Sequence, residues 1–391
     1  MSPPLSLYVH LPWCVKKCPY CDFNSHTAGA TVPHDRYIDA LRRDLAGEAD
    51  RAGDRPLASV FLGGGTPSLF SGAAIGRVLD AVRAGFAVAA EAEVTMEANP
   101  GTVERHNLAG YREAGVNRLS LGAQSFDSRA LARLGRIHGP DEIVAAVADA
   151  RRAGFDNLNL DLMFALPGQR REDARRDLDR ALALAPEHLS LYQLTLEPNT
   201  VFARRPPADL PGDELAWDMQ MDAFARLQAS GYRRYEISAF ARPGRECRHN
   251  RNYWTFGDYA AVGAGAHGKL TSADGTVRRY AKPAHPLAYM EAAERGALQP
   301  GSLQVVEAAD RVFEFMLNAL RLPEGFSMAL FESRTGLPES VLRAPMASAA
   351  ADGLVTRRGD GGWQPSGLGL QFLNDLQARF LPVATAAAGD R

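Results

Sequence analysis

Cysteine is scarce in this chain of 391 residues: there are four, too few to staple a fold of that size with a disulfide framework. Three of them, Cys14, Cys18 and Cys21, fall close together near the N-terminus, which points to metal chemistry instead, while Cys247 stands alone. No run of about 18 apolar residues occurs, so no helix is expected to span a bilayer. The N-terminal segment lacks the basic and apolar parts of a signal peptide, and a soluble cytoplasmic protein is expected. A formal net charge of −2 supplies no positive excess for nucleic acid or an anionic membrane surface. Low-complexity segments and repeats beyond a strand–helix period are also missing. With 46% apolar and 23% charged residues, the chain can fill one large core and a smaller one.

Short apolar runs alternate with longer amphipathic stretches, the pattern of parallel strands joined by crossover helices. Strands are expected at Leu5–His10, Leu57–Leu62, Glu93–Glu97, Arg118–Gly122, Asn157–Asp161 and His188–Gln193. Helices are expected between them at Asp35–Arg51, Ala73–Ala84, Val103–Ala114, Pro140–Ala153 and Arg171–Leu184. Six such units predict an α/β fold, a (β/α)6 partial TIM barrel over residues 1–200. A helix Gly212–Gly231 follows, then a glycine- and aromatic-rich connecting region with a proline-rich end, Lys282–Pro300, filling residues 201–300. Residues 301–391 predict helices Ala308–Leu320, Met328–Thr335 and Glu339–Ala351, strands Leu354–Thr356 and Gly362–Gln364, and a helix Gly367–Arg379. That order is winged-helix-like. Only Arg357 and Arg358 make its wing basic, so a structural or partner-docking role is favoured over DNA. The tail Ala384–Arg391 is expected to fray.

The three cysteines form Cys14-x₃-Cys18-x₂-Cys21 just after the first strand. Three thiolates on a short loop would leave one iron of a 4Fe–4S cluster open to a small ligand. The same residues, with His10 or His26 as a fourth ligand, would also suit structural zinc. One strand later, Phe61-Leu-Gly-Gly-Gly-Thr66-Pro-Ser ends in three glycines, which let backbone approach a ligand closely. Placed directly after the cysteine loop, that turn favours the cluster.

Tyr8-x-His10-x-Pro-x-Cys14-x₃-Cys18-x₂-Cys21 followed by Gly-Gly-Gly-Thr-Pro-Ser resembles the coproporphyrinogen-oxidase-like branch of the radical SAM superfamily. Cys18-Pro-Tyr-Cys-Asp-Phe-Asn-Ser-His26 and His249-Asn-Arg-Asn-Tyr-Trp254 are similar to the haem-chaperone members of that branch. Further matching segments run through Met96-Glu-Ala-Asn-Pro-Gly, Gly122-Ala-Gln-Ser-Phe, Leu134-Gly-Arg-Ile-His and Gly263-Ala-Gly-Ala-His-Gly. The resemblance implies a 4Fe–4S cluster on Cys14, Cys18 and Cys21 and S-adenosylmethionine on its open iron. It implies cofactor contacts from Tyr8, Tyr20, the backbone of Gly64, Gly65 and Thr66, and from Glu97, Gln124, Arg136 and Asp161. The side chains have the chemistry for such contacts, since carboxylates accept from amino or hydroxyl groups, an amide can donate or accept, and guanidinium forks onto a carboxylate.

The branch holds both a radical enzyme that decarboxylates coproporphyrinogen and haem carriers. The enzyme's motif adds a cysteine two positions after the third, where this chain has Phe23, and the enzyme carries an N-terminal extension before its first strand. Both departures disfavour decarboxylation. Taken bare, His249, Tyr253 and Trp254 read more readily as a packed polar loop. The resemblance turns them into a haem site, with His249 on the iron and the aromatics against the macrocycle. Cys247 is a candidate thiolate partner, and His267 ranks below His249. The expectation is therefore a haem chaperone that delivers its cargo to haem-requiring respiratory or membrane proteins. A tetrapyrrole-modifying enzyme is the alternative, and a homodimer and a peripheral place at the inner membrane are compatible with carriage.

Overall fold

The computed structural model describes residues 2–29, 32–101, 107–298 and 303–382. The expected helix start at Val103, His106, the last two residues of the proline-rich stretch and the tail Ala384–Arg391 lie outside them.

Six parallel strands lie side by side in chain order: β1 (Leu5–Leu11), β2 (Leu57–Gly64), β3 (Val88–Ala98), β4 (Arg118–Gln124), β5 (Leu158–Phe164) and β6 (His188–Gln193). Their sequences are apolar on both faces because helices cover one side and a filled interior the other. In β1, Leu5, Ser6, Leu7, Val9, His10 and Leu11 are all buried. The helix His34–Ala52 buries Tyr37, Ile38, Leu41 and Leu45 along one stripe, and Gly72–Gly85 does the same with Ile75, Val78, Leu79 and Val82. Ser71 caps that second helix by accepting from the Ala74 N–H. The six strands follow one another in chain order without closing, the α/β partial barrel that the strand–helix period predicts.

The sheet is wider than six strands. The glycine- and aromatic-rich region contributes Asp258–Val262, parallel to β1, followed by antiparallel His267–Thr271 and Val277–Ala281. At the other edge Ala239–Ala241 runs antiparallel to β6. The strand Asp258–Val262 is short, so its burial is set by pairing with Leu5–Val9 rather than by its own periodicity. The proline-rich stretch holds a helix, Pro286–Glu294, with Pro286 in its first turn, where a missing N–H costs nothing. Just before it, fully buried Lys282 bonds Asp44 at 2.5 Å and Glu48 at 2.6 Å, tying this segment to the helix His34–Ala52.

A second core gathers Phe315, Met316, Phe326, Phe331, Met346 and Trp363, with Phe256 inserted from the first unit. Its helices Ala308–Ala319 and Met328–Thr335 and the paired strands Val355–Arg357 and Trp363–Pro365 form the expected winged-helix-like unit. Two expected helices are broken. Glu339–Leu342 is a 3₁₀ turn preceding Arg343–Ala351, because Pro345 cannot donate to an upstream carbonyl. The last helix is split at Phe372 into Gly367–Gln371 and Leu373–Ala378. On the wing, Arg357 stacks on Trp363 and Arg358 bonds Asp360, so both cations are engaged within the fold.

Candidate functional site: two adjoining cavities at the strand ends

The cysteine loop is held by backbone. Gly65 N–H donates to Leu11 O at 2.8 Å and Thr66 N–H to Trp13 O at 2.7 Å, so the loop rides on the turn after β2. Ala28 N–H donates to Cys14 O, and Lys17 Nζ reaches the carbonyls of Phe23 and Ser25, closing the loop on itself. The three glycines are needed for close approach within the protein. A Cβ on Gly63 would meet Phe61 and the Glu97 carboxylate, one on Gly64 (φ +112°) the His10 ring, and one on Gly65 the backbone of Pro12 and Trp13.

All three clustered cysteines are unpaired and half-buried, and they line one cavity of about 520 Å³. Burial, which disfavours the charged thiolate, pushes the Cys14 and Cys21 thiols above their ordinary range. Among the described residues, no three His, Cys, Asp or Glu converge as ligands of a single metal ion. His10 has both ring nitrogens committed, Nδ1 to the Tyr8 hydroxyl at 2.9 Å and Nε2 to Asn24 O at 2.8 Å. A single tetrahedral zinc with His10 as fourth ligand is therefore not what this arrangement fits, whereas ligands to separate irons of one cluster need not converge.

The same cavity is lined by Tyr20, Gly64, Gly65, Thr66, Glu97, Gln124, Arg136 and Asp161, so of the cofactor residues expected from sequence only Tyr8 lies outside it. Glu97 Oε2 accepts from Gly64 N–H at 3.1 Å, and burial together with Asp161 pushes its carboxyl up to about 7. Arg136 spans Gly122 O at 2.8 Å and Asn99 Oδ1 at 2.5 Å, and reaches Cys18 Sγ at 3.7 Å. Asp161 accepts from Asn159 and Ser120, and burial raises its carboxyl too. Gln124 adopts a left-handed φ of +67° where β4 ends, a conformation rare outside glycine that turns the chain at the cavity wall.

Sequence reasoning missed Asn99, which joins Thr66 Oγ1 at 3.1 Å to Arg136 and so links the glycine turn to the guanidinium. Its signal was an Asn-Pro-Gly following a strand, which is also what an ordinary turn looks like. Arg118, Asn159, Ser190 and Tyr192 of the cavity wall carried no local signal.

A second cavity, about 570 Å³, adjoins the first and shares Phe23, Gly64 and Glu97 with it. Tyr8, Tyr253 and Trp254 line it, together with Tyr259, His267 and Asn318. His249 does not. It sits on the helix Arg248–Trp254 with 2% exposure, stacked on Phe61 at 4.9 Å. Its Nδ1 lies 3.2 Å from Ser59 Oγ and its Nε2 3.0 Å from the Tyr253 hydroxyl. Burial, reinforced by Arg118, lowers its imidazole to about 3, so it is neutral. Cys247 is fully buried against Glu93 at 3.4 Å, and burial raises its thiol to about 12; it faces neither cavity. His138 is packed against Ala123 O behind β4.

Comparison with known proteins places these features in company. Residues 8–181 match the model of the radical SAM superfamily, and residues 306–372 match that of the HemN C-terminal domain. The chain is similar to the heme chaperone HemW of Escherichia coli (strain K12), 50% identical over 379 residues, covering 97% of this chain and 98% of that one. The HemW of Haemophilus influenzae is 45% identical over 383 residues, with the same coverage. Among solved structures, coproporphyrinogen III oxidase (HemN) from Escherichia coli, described as a radical SAM enzyme, superposes with a TM-score of 0.82. It is 26% identical, covering 97% of this chain and 90% of that one.

Proposed function

Because this chain belongs to the family of the heme chaperone HemW within the radical SAM superfamily, we propose that it binds haem and delivers it to haem-requiring respiratory proteins. Cys14, Cys18 and Cys21 would hold a 4Fe–4S cluster, and Gly64 to Thr66, Glu97, Gln124, Arg136 and Asp161 would hold S-adenosylmethionine beside it. A cluster there would supply one-electron chemistry and an iron open to the amino and carboxylate groups of that molecule.

The observation that carries the reading is the pairing of two cavities. The thiols and the polar residues line one, an aromatic cavity lies alongside, and they share Phe23, Gly64 and Glu97. An aromatic wall offers the flat apolar faces that a macrocycle stacks on, and a volume of this order is ordinary for a ligand site. Glu97, in the shared wall and raised by burial, is placed to take a proton or accept from an amino group.

No helix among the described residues is long and apolar enough to cross a membrane, so delivery to membrane-bound recipients would be peripheral. The alternative, oxidative decarboxylation of coproporphyrinogen, is favoured by the likeness to HemN. Phe23, 57% exposed at the junction of the cavities, stands where the enzyme's motif has its further cysteine and argues against it. Haem titration of anaerobically purified chain tests the reading: a saturable Soret shift without coproporphyrinogen turnover is expected. Catalytic coproporphyrinogen consumption without haem binding would overturn it.

A further inference from the structure

Three histidines stand in or behind the wall of the aromatic cavity, and their hydrogen bonding separates them. His249 is buried outside the lining, with Ser59 and Tyr253 on its two nitrogens. His10 reaches the cavity, yet Tyr8 and the Asn24 carbonyl occupy its two nitrogens. His267 is exposed, lines the cavity, and its imidazole has no hydrogen-bond partner among the described residues. An imidazole with a free ring nitrogen in a ligand-sized cavity is what an iron needs from a protein.

The backbone around His267 is fixed although its ring is free. Ala266 N–H donates to Gly263 O at 3.1 Å, Lys282 N–H donates to Ala266 O at 2.9 Å, and His267 pairs across the sheet with Ala281. The turn before it is pinned to the cysteine loop, since Asn24 Nδ2 donates to Ala264 O at 2.9 Å and packs against Gly265 (φ +75°). His267 and Lys269, two apart on the strand, share the face that lines the cavity, while Gly268 lies on the other. A backbone held this way loses little freedom on ligation. The wall also holds Trp254, whose indole N–H is buried with no acceptor among the described residues.

We infer that His267, rather than His249, is the axial ligand to haem iron, and that Tyr253 and Trp254 flank the macrocycle in this cavity. His249 is then a positioning residue: its Nε2 holds the Tyr253 hydroxyl and its ring supports that wall from behind. The assignment rests on the chaperone reading and refines its site.

The test titrates haem into the full-length, cluster-loaded chain and into His267→Ala and His249→Gln, following the Soret band and the electron paramagnetic resonance of ferric haem. His267→Ala is expected to lose the histidine-ligated spectrum and at least on the order of tenfold in affinity. Added imidazole is expected to restore the spectrum to it, which an unfolded variant would not allow. His249→Gln is expected to keep the ligation signature. Wild-type spectrum and affinity in His267→Ala, or loss of the signature in a folded His249→Gln, would overturn the assignment while leaving the chaperone reading intact. Absence of saturable binding by the wild-type chain would overturn both.

Discussion

Replacing Gly65 by alanine probes the contact on which the cysteine loop depends. A Cβ there would lie 2.6 Å from Trp13 O, 2.7 Å from Pro12 C and 2.8 Å from Trp13 N, all of them backbone atoms. Ordinary contact begins near 3.4 Å, so the strand end and the loop must part by about 0.6–0.8 Å. Neither side is a flexible side chain that could swing away. Two hydrogen bonds cross the same gap, Gly65 N–H to Leu11 O and Thr66 N–H to Trp13 O, and both lengthen as it opens. Overpacking of this kind costs about 1–3 kcal/mol. Cys14 directly follows Trp13, so the displacement passes into the first thiol. Chemical denaturation should show a loss of about 1–3 kcal/mol, and anaerobically purified variant should hold less iron per chain than wild type. Wild-type iron content together with stability unchanged within about 0.5 kcal/mol would refute the packing argument.

Acid should unfold the protein through its buried imidazoles. His249 at about 3 and His138 at about 4 are depressed by burial below the ordinary 6.5, so each stabilises the fold above that value and ceases to as pH falls. Urea denaturation should lose about 1.4 kcal/mol per pH unit per such group below about pH 6, and His249→Gln, with no proton to gain, should flatten the slope by one group's share. An unchanged slope would contradict the burial of His249. S-adenosylmethionine affinity should fall as pH drops below about 7, where Glu97 protonates, by at most about tenfold per unit. Calorimetry on Glu97→Gln should find weaker binding without that dependence, and a parallel profile would exclude Glu97. Lys282→Met leaves buried Asp44 without its cation and Glu48 with Arg51 alone, and should cost about 3–5 kcal/mol in denaturation; a loss under about 1 kcal/mol would mean that the carboxylates find other relief.

The six parallel strands and the helices over them were legible because each carries its own period, and the cysteine loop because its chemistry is compressed into a few residues. What escaped was decided by distant partners. Asp258–Val262 reads as a glycine-rich connector until β1 is laid beside it, and Lys282 reads only as the start of a proline-rich stretch until Asp44 and Glu48 arrive from the far end of the chain. Asn99 resembles an ordinary turn residue, and only its bonds to Thr66 and Arg136 reveal what it connects. For haem, the conspicuous motif drew attention to His249, yet the fold buries that ring and satisfies both nitrogens. His267, the ligand inferred above, lies in a less conspicuous segment, and its free ring is a consequence of tertiary packing that no local pattern encodes.

The most direct test of the account is electron paramagnetic resonance of the reduced, anaerobically purified chain, with and without S-adenosylmethionine, alongside iron analysis. A chain whose Cys14, Cys18 and Cys21 hold a cluster with one open iron should contain about four irons and change its spectrum when S-adenosylmethionine is added. Stoichiometric zinc without iron, or a cluster signal indifferent to S-adenosylmethionine, would contradict it.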